Sequence, residues 1–233
     1  MSTYFGIKEK AYKANMRLPE LKLVLFTFGN ASAADRDNRV FAIKPSGVPY
    51  DDLEPGDMVI VDFNGKVVEG SLRPSSDTLT HAALYKHWEN VGGVVHTHST
   101  YATAWAQSLT DLPILGTTHA DHLAMDIPCT QPMADDKIEG DYEFETGMQI
   151  ISEFRNREIS HEDAGMILVG SHAPFTWGKS VDEAVYKSAV LEEVAKMASI
   201  TKQIRPDAPK LKQTLIKKHF QRKHGKDAYY GQG

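Results

Sequence analysis

The chain has only one cysteine, Cys129, so no disulfide can form within it, and a lone thiol fits a reducing compartment. No run of about 18 apolar residues occurs, which leaves no candidate membrane-spanning helix. Residues 1–13 mix Lys, Glu and Tyr with apolar side chains, so no apolar stretch there could act as a signal peptide. These absences predict a cytoplasmic protein. No internal repeat or low-complexity linker divides the 233 residues, which read as one domain spanning 1–233. A formal charge of −5 gives no electrostatic reason to expect nucleic acid or membrane as partner. No Gly-x-x-x-x-Gly-Lys-Ser/Thr loop and no dinucleotide fingerprint is present, so a small phosphoester is expected before ATP or NAD. With 41% apolar and 24% charged residues the composition is that of an ordinary globular protein, which disfavours disorder and coiled coil.

Local patterning predicts the elements. Residues 4–17 have apolar side chains near helical spacing, with Pro19 beyond the expected end. Residues 23–28 and 39–44 are rich in Val, Phe, Ile and Thr and read as strands joined through 35–38. Strands at 57–63 and 66–69 flank Asn64-Gly65, a hairpin turn signal. A helix is expected from Ser76 or Asp77 to about Asn90, then a strand at 94–98, a helix at 101–108 and a strand at 114–118. Further helices are expected at 144–156, 181–201 and 211–224, with buried strands at 166–171 and 174–177. The alternation predicts a layered α/β domain with a mixed sheet, and the early hairpins argue against a purely parallel one.

Two histidines carry the strongest chemical signal. On a strand, His96 and His98 would point to one face, so both imidazoles could reach one ion. In a chain with ten histidines such a pair can also be accidental. A third, His172, follows a buried strand in Gly170-Ser171-His172-Ala173-Pro174, where loop-borne sites usually lie. Three neutral imidazoles with an open position form a catalytic zinc pattern, and Mn2+ or Co2+ could use the same ligands. Asp77 directly precedes a helix, where Asp is normally a cap, though it is also a candidate fourth ligand. His81 and His87 read as surface or core-edge positions and His161 and His224 as solvated ones, and His119 and His122 bracket Asp121 on a loop.

Three short segments suit an anion. Phe28-Gly29-Asn30-Ala31-Ser32 combines a glycine turn with polar side chains, and Lys44-Pro45-Ser46-Gly47 offers an ammonium, a hydroxyl and approachable amides. Ser75-Ser76 precedes a helix whose first amides and dipole favour a phosphate. Singly, each is an everyday turn or cap. The basic stretch from Lys202 to Lys226 reads as a solvated helix face, since it lacks the interleaved aromatics of a nucleic-acid platform. Tyr229 and Tyr230 beyond it suggest packing or contact.

Together these segments resemble the class II aldolase/adducin family, and within it the enzymes that epimerise pentulose phosphates. The resemblance runs nearly end to end. It is carried by Thr27-Phe28-Gly29-Asn30, Ile43-Lys44-Pro45-Ser46-Gly47-Val48, Arg73 to Thr78, Val95-His96-Thr97-His98-Ser99, Gly116 to Asp121 and Ala228 to Gln232. It implies a three-layer α/β/α sandwich around a mostly antiparallel sheet. It also implies ring-like homotetramers with active sites between subunits. His96, His98 and His172 would hold zinc with Asp77 as fourth ligand, reversing the preference for a cap. Gly29, Asn30, Ser46, Gly47, Ser75 and Ser76 would hold a substrate phosphate, with Lys44 nearby. Asp121 and Tyr230 would be the acid/base pair. Thr117, Asp121, Tyr142, His219 and Tyr230 would reach into a neighbour's site. The implied reaction interconverts L-ribulose 5-phosphate and D-xylulose 5-phosphate by breaking and remaking C3–C4. A sugar-phosphate aldolase shares the fold but has glutamate where Asp77 stands. An adducin-like interaction domain would have lost metal ligands.

Overall fold

The computed structural model describes residues 2–225 and 228. The described helices are α1 (Phe5–Glu20), α2 (Thr78–His87), α3 (Thr100–Gln107), α4 (Thr117–Ala120), α5 (Asp135–Ile138), α6 (Tyr142–Asn156), α7 (His161–Ala164), α8 (Val181–Ile204) and α9 (Gln213–His224). The strands are β1 (Asn30–Asp35), β2 (Val40–Ile43), β3 (Val59–Asp62), β4 (Val67–Glu69), β5 (Gly93–His96), β6 (Met166–Leu168) and β7 (Pro174–Gly178). Short 3-10 turns occupy Tyr50–Asp52 and Pro55–Asp57. No described helix is long and apolar enough to cross a membrane.

All described strands join one sheet in the order β4-β3-β2-β1-β5-β7-β6, and every neighbouring pair is antiparallel. The strand period divides the core into two. Phe41, Ile43, Val59, Val61 and Val94 point to one face, where they meet Leu84 and Tyr85 of α2, Ile150 and Phe154 of α6, and Leu191 of α8. The alternating residues Val40, Ala42, Ile60 and Val95 point to the other face, against Ala11, Ala14 and Leu18 of α1 and Ala184 of α8. Helices therefore cover both faces, giving the expected α/β/α sandwich; the expected mixed sheet is corrected, because all the described strands pair antiparallel with their neighbours.

Two predicted strands are corrected. Residues 23–28 form no strand: Lys22 (φ 57°) and Phe26 (φ 53°) turn the chain, and Leu25 and Phe26 are exposed. The strand is β1, Asn-Ala-Ser-Ala-Ala-Asp, whose residues have poor strand propensity. Pairing on both edges, with β2 and β5, overrides that propensity. Residues 114–118 likewise form no strand. Leu112 makes an isolated bridge to Ile127, and Thr117 opens α4. Smaller shifts occur elsewhere. Pro19 lies inside the last turn of α1, β6 stops at Leu168, and β5 stops at His96, so His98 stands beyond the strand. The Asn64-Gly65 hairpin holds, with the Asp62 carboxylate accepting the amides of Asn64 and Lys66.

Candidate metal and phosphate site

At the β1–β5–β7 end of the sheet, the strand termini bring the three histidines together. His96 ends β5, and its ring stacks on Phe175 of the paired β7 at 4.1 Å and 19°. His98 follows in the segment leading to α3. His172 sits in the turn from β6 to β7, where its amide donates to the Val169 carbonyl (3.0 Å) and Ser171 takes φ 60°. One nitrogen from each of the three rings lies within 4.8 Å of the others, with His96 buried, His172 half-buried and His98 exposed.

The geometry fits a shared divalent ion. His96 Nε2 and His98 Nε2 are 3.1 Å apart, and two ligands on a tetrahedral ion at about 2.0–2.1 Å would stand about 3.3 Å apart. His96 Nδ1 faces the Pro174 carbonyl at 3.0 Å, which leaves Nε2 for an ion. Burial, then the neighbouring His96, lowers the His172 pKa to about 4. Burial also lowers that of His98. Both are therefore neutral at pH 7, as metal ligands must be.

Asp77 occupies the N-cap position of α2, but its side chain caps nothing. Its carboxylate instead accepts Asn30 Nδ2 at 2.7 Å. Burial would raise this carboxyl, yet the fields of His96 and His81 and the Asn30 bond hold it below the usual carboxylate range. The same amide nitrogen reaches Ser75 Oγ at 3.0 Å, so Asn30 ties the metal-side wall to the serine pair.

The anion segments are assembled around this point. Gly29 has φ +73°, and a Cβ there would meet the His96 carbonyl and Val24 Cγ1 at 2.8 Å. Only glycine lets this turn lie against β5. Residues 44–46 and 73–75 are joined by the Ser46 amide to the Arg73 carbonyl (2.9 Å) and the Ser75 amide to the Lys44 carbonyl (3.0 Å). Lys44 is buried, donates to the Val48 carbonyl at 2.6 Å, and stands over the Tyr50 ring. Burial lowers its pKa to about 8. A cavity of about 470 Å³ is lined by these segments together with Thr27, Phe28, Asp77, His96, His98, Tyr142, Glu143 and His172.

Residues 9–199 match the family described as the class II aldolase and adducin N-terminal domain. The chain belongs to this family. Similar solved structures include an L-fuculose 1-phosphate aldolase with 23% identity and TM-score 0.76, covering 94% of this chain and 95% of that one. The L-fuculose 1-phosphate aldolase of Glaciozyma antarctica has 16% identity and TM-score 0.77, covering 96% and 84%. That of Thermus thermophilus has 21% identity and TM-score 0.65, covering 88% and 98%. At these identities the structural likeness speaks for the fold.

Within this class II aldolase/adducin chain, two of the expected residue groups are placed apart. Asp121 and His219 do not line the cavity. Asp121 accepts His219 Nδ1 (2.9 Å) and Arg222 Nε and Nη2 (3.0 and 2.7 Å), which fastens α9 to the end of α4. Burial would raise Asp121, but Arg222 and His219 keep it ionised and low. Thr117 opens the adjacent α4. Tyr230 lies outside the described residues. Tyr142 lines this chain's own cavity, 3.3 Å from His172 Nδ1.

Three readings of histidines are also corrected. His81 is fully buried, one helical turn beyond Asp77, with Nδ1 2.7 Å from Ser32 Oγ. His119 is buried within α4, and His161 stacks on Trp88 at 4.7 Å. Two further residues stand at these positions, Glu143 in the cavity wall and Arg222 against Asp121. In the sequence Glu143 is marked only as an acidic first-turn residue beside Tyr142, and Arg222 is indistinguishable from the other basic residues of α9.

Proposed function

We propose that the protein is an L-ribulose-5-phosphate 4-epimerase, interconverting L-ribulose 5-phosphate and D-xylulose 5-phosphate. One observation carries the reading most. A histidine triad able to hold a divalent ion shares a single cavity with three anion-suited segments. The end-to-end motif resemblance supports the epimerase in particular, as does aspartate rather than glutamate at position 77.

His96, His98 and His172 would hold the ion, and the Asp77 carboxylate, which lines the same cavity but is not one of the three clustered groups, would complete the set as a fourth ligand; zinc would suit this donor set best, and Mn2+ or Co2+ would also fit. A bound ion would supply Lewis acidity, stabilising the negative charge that develops beside the ketone when C3–C4 breaks. Inverting C4 by direct deprotonation is unfavourable because its proton is not acidic. Removal of the C4 hydroxyl proton instead drives C3–C4 cleavage, giving glycolaldehyde phosphate and a three-carbon fragment that keeps the bonding electron pair. Gly29, Asn30, Lys44, Ser46, Gly47, Ser75 and Ser76 hold the phosphate, so the aldehyde turns over without leaving. The electron pair then adds to its opposite face, and a proton returns to the C4 oxygen. Asp121 and Tyr230 are the acid/base pair assigned to those two proton transfers.

The placement of Asp121 supports a site shared between subunits. It stands with Thr117 and His219 outside its own chain's cavity, so any contact with substrate would be made in a neighbour, as in a homotetramer with sites at its interfaces. The competing reading is an aldolase that releases the aldehyde, the activity named for the similar solved structures. Retention of all three histidines disfavours an adducin-like interaction domain. A coupled assay for D-xylulose 5-phosphate, run beside a trap for free aldehyde, separates the readings. Epimer without free aldehyde is expected, and stoichiometric aldehyde would overturn the epimerase.

A further inference from the structure

We propose that Tyr142 is a positioning residue for the metal site, orienting His172 through its Nδ1. This deepens the reading of the triad as a metal centre and rests on it. The Tyr142 hydroxyl lies 3.3 Å from His172 Nδ1, and the rings are 6.0 Å apart and inclined at 40°. With Nδ1 engaged, Nε2 is the nitrogen left for the ion. His96 has the same arrangement, with the Pro174 carbonyl at its Nδ1. An imidazole that ligates through Nε2 has only its Nδ1–H left to give, so the phenol oxygen acts as the acceptor.

Tyr142 is held firmly enough for this role. It is the first residue of α6, and its own carbonyl accepts Thr146 Oγ1 at 2.9 Å. The next residue, Glu143, has its carbonyl pinned by Thr80 Oγ1 of α2 at 2.6 Å. A Cβ at Gly147 would meet Ala83 Cβ at 2.7 Å, so α6 lies close against α2. The helix that opens beside Asp77 therefore also fixes the tyrosine behind His172. His172 needs such support because it sits in a turn, whereas His96 is held by the sheet.

The test compares Tyr142→Phe, which keeps the ring and removes only the hydroxyl, with His172→Ala. Zinc affinity of the full chain is measured by competition with a chromophoric chelator. The urea midpoint of the metal-free protein serves as a folding control. Tyr142→Phe should leave that midpoint unchanged and weaken zinc binding about 10- to 100-fold. The visible spectrum of the Co2+-loaded protein should change as the ligand field loosens. Unaltered zinc affinity in Tyr142→Phe, alongside loss of zinc in His172→Ala, would overturn the positioning role alone. Unaltered affinity in His172→Ala would overturn the triad itself, and Tyr142 with it.

Discussion

Replacing Gly29 by alanine should separate two costs that the structure places at one residue. Gly29 and Gly47 both lie in the left-handed region, at φ +73° and +72°, but a Cβ at Gly47 meets nothing within 4 Å. Gly47→Ala should therefore carry only the left-handed penalty, about 1–2 kcal/mol. At Gly29 the new methyl group would stand 2.8 Å from the His96 carbonyl, inside any normal contact. That carbonyl does not yield freely, because it belongs to β5, whose His96 is registered opposite Asn30 of β1. Shifting the turn should add a comparable amount, for a total of about 2–4 kcal/mol. Urea unfolding of both variants with chelator present measures the difference. The same displacement moves His96 relative to His172, so zinc affinity should fall in Gly29→Ala and hold in Gly47→Ala. Equal destabilisation in the two variants would refute the close approach of the glycine turn to the metal-bearing strand.

Other expectations follow from the same geometry. Ser46→Ala and Ser75→Ala should chiefly raise KM for the phosphorylated sugar, and unphosphorylated L-ribulose should be a poor substrate; equal kcat/KM for both sugars would contradict the anion pocket. Lys44 has its pKa lowered by burial from 10.5 to about 8, so its positive charge is present below that pH and lost above it. Because kcat/KM reports the free enzyme, it should decline as pH rises through about 8, and a Lys44→Met variant lacking that alkaline limb would identify the group. Mixing inactive Tyr230→Phe with inactive His98→Asn and reassembling the oligomers should restore some activity, since only a site built from two chains can be complemented; mixed oligomers without activity would place Tyr230 in its own subunit or outside the reaction.

The layered α/β class and most helices were legible because their patterns are local: amphipathic spacing in α1 and α6, and the Asn64-Gly65 turn. The central strand β1 was not, because Ala, Ser and Asn carry no strand signature and are strand only through pairing on both sides. The apolar 23–28 stretch misled for the opposite reason. Its side chains suit a strand, but its backbone turns at Lys22 and Phe26. At the site, His96 and His98 were visible from spacing, although His98 lies beyond the strand that suggested the pair. Asp77 shows the limit of local rules. It stands at a helix N-cap as its position predicts, yet its carboxylate turns to Asn30, a residue 47 positions away. The contacts of Tyr142 with His172 and of Arg222 with Asp121 are likewise tertiary, with no signature in either local stretch.

The most direct test of the account is the conversion of L-ribulose 5-phosphate to D-xylulose 5-phosphate by purified protein, measured by a coupled assay before chelation, after chelation, and after restoring zinc. The wild-type chain should form the epimer without free aldehyde, lose activity on chelation and regain it with zinc, while His98→Asn should bind little metal and remain inactive throughout. Full epimerisation by metal-free protein, or by His98→Asn, would contradict the histidine triad as the centre of the reaction.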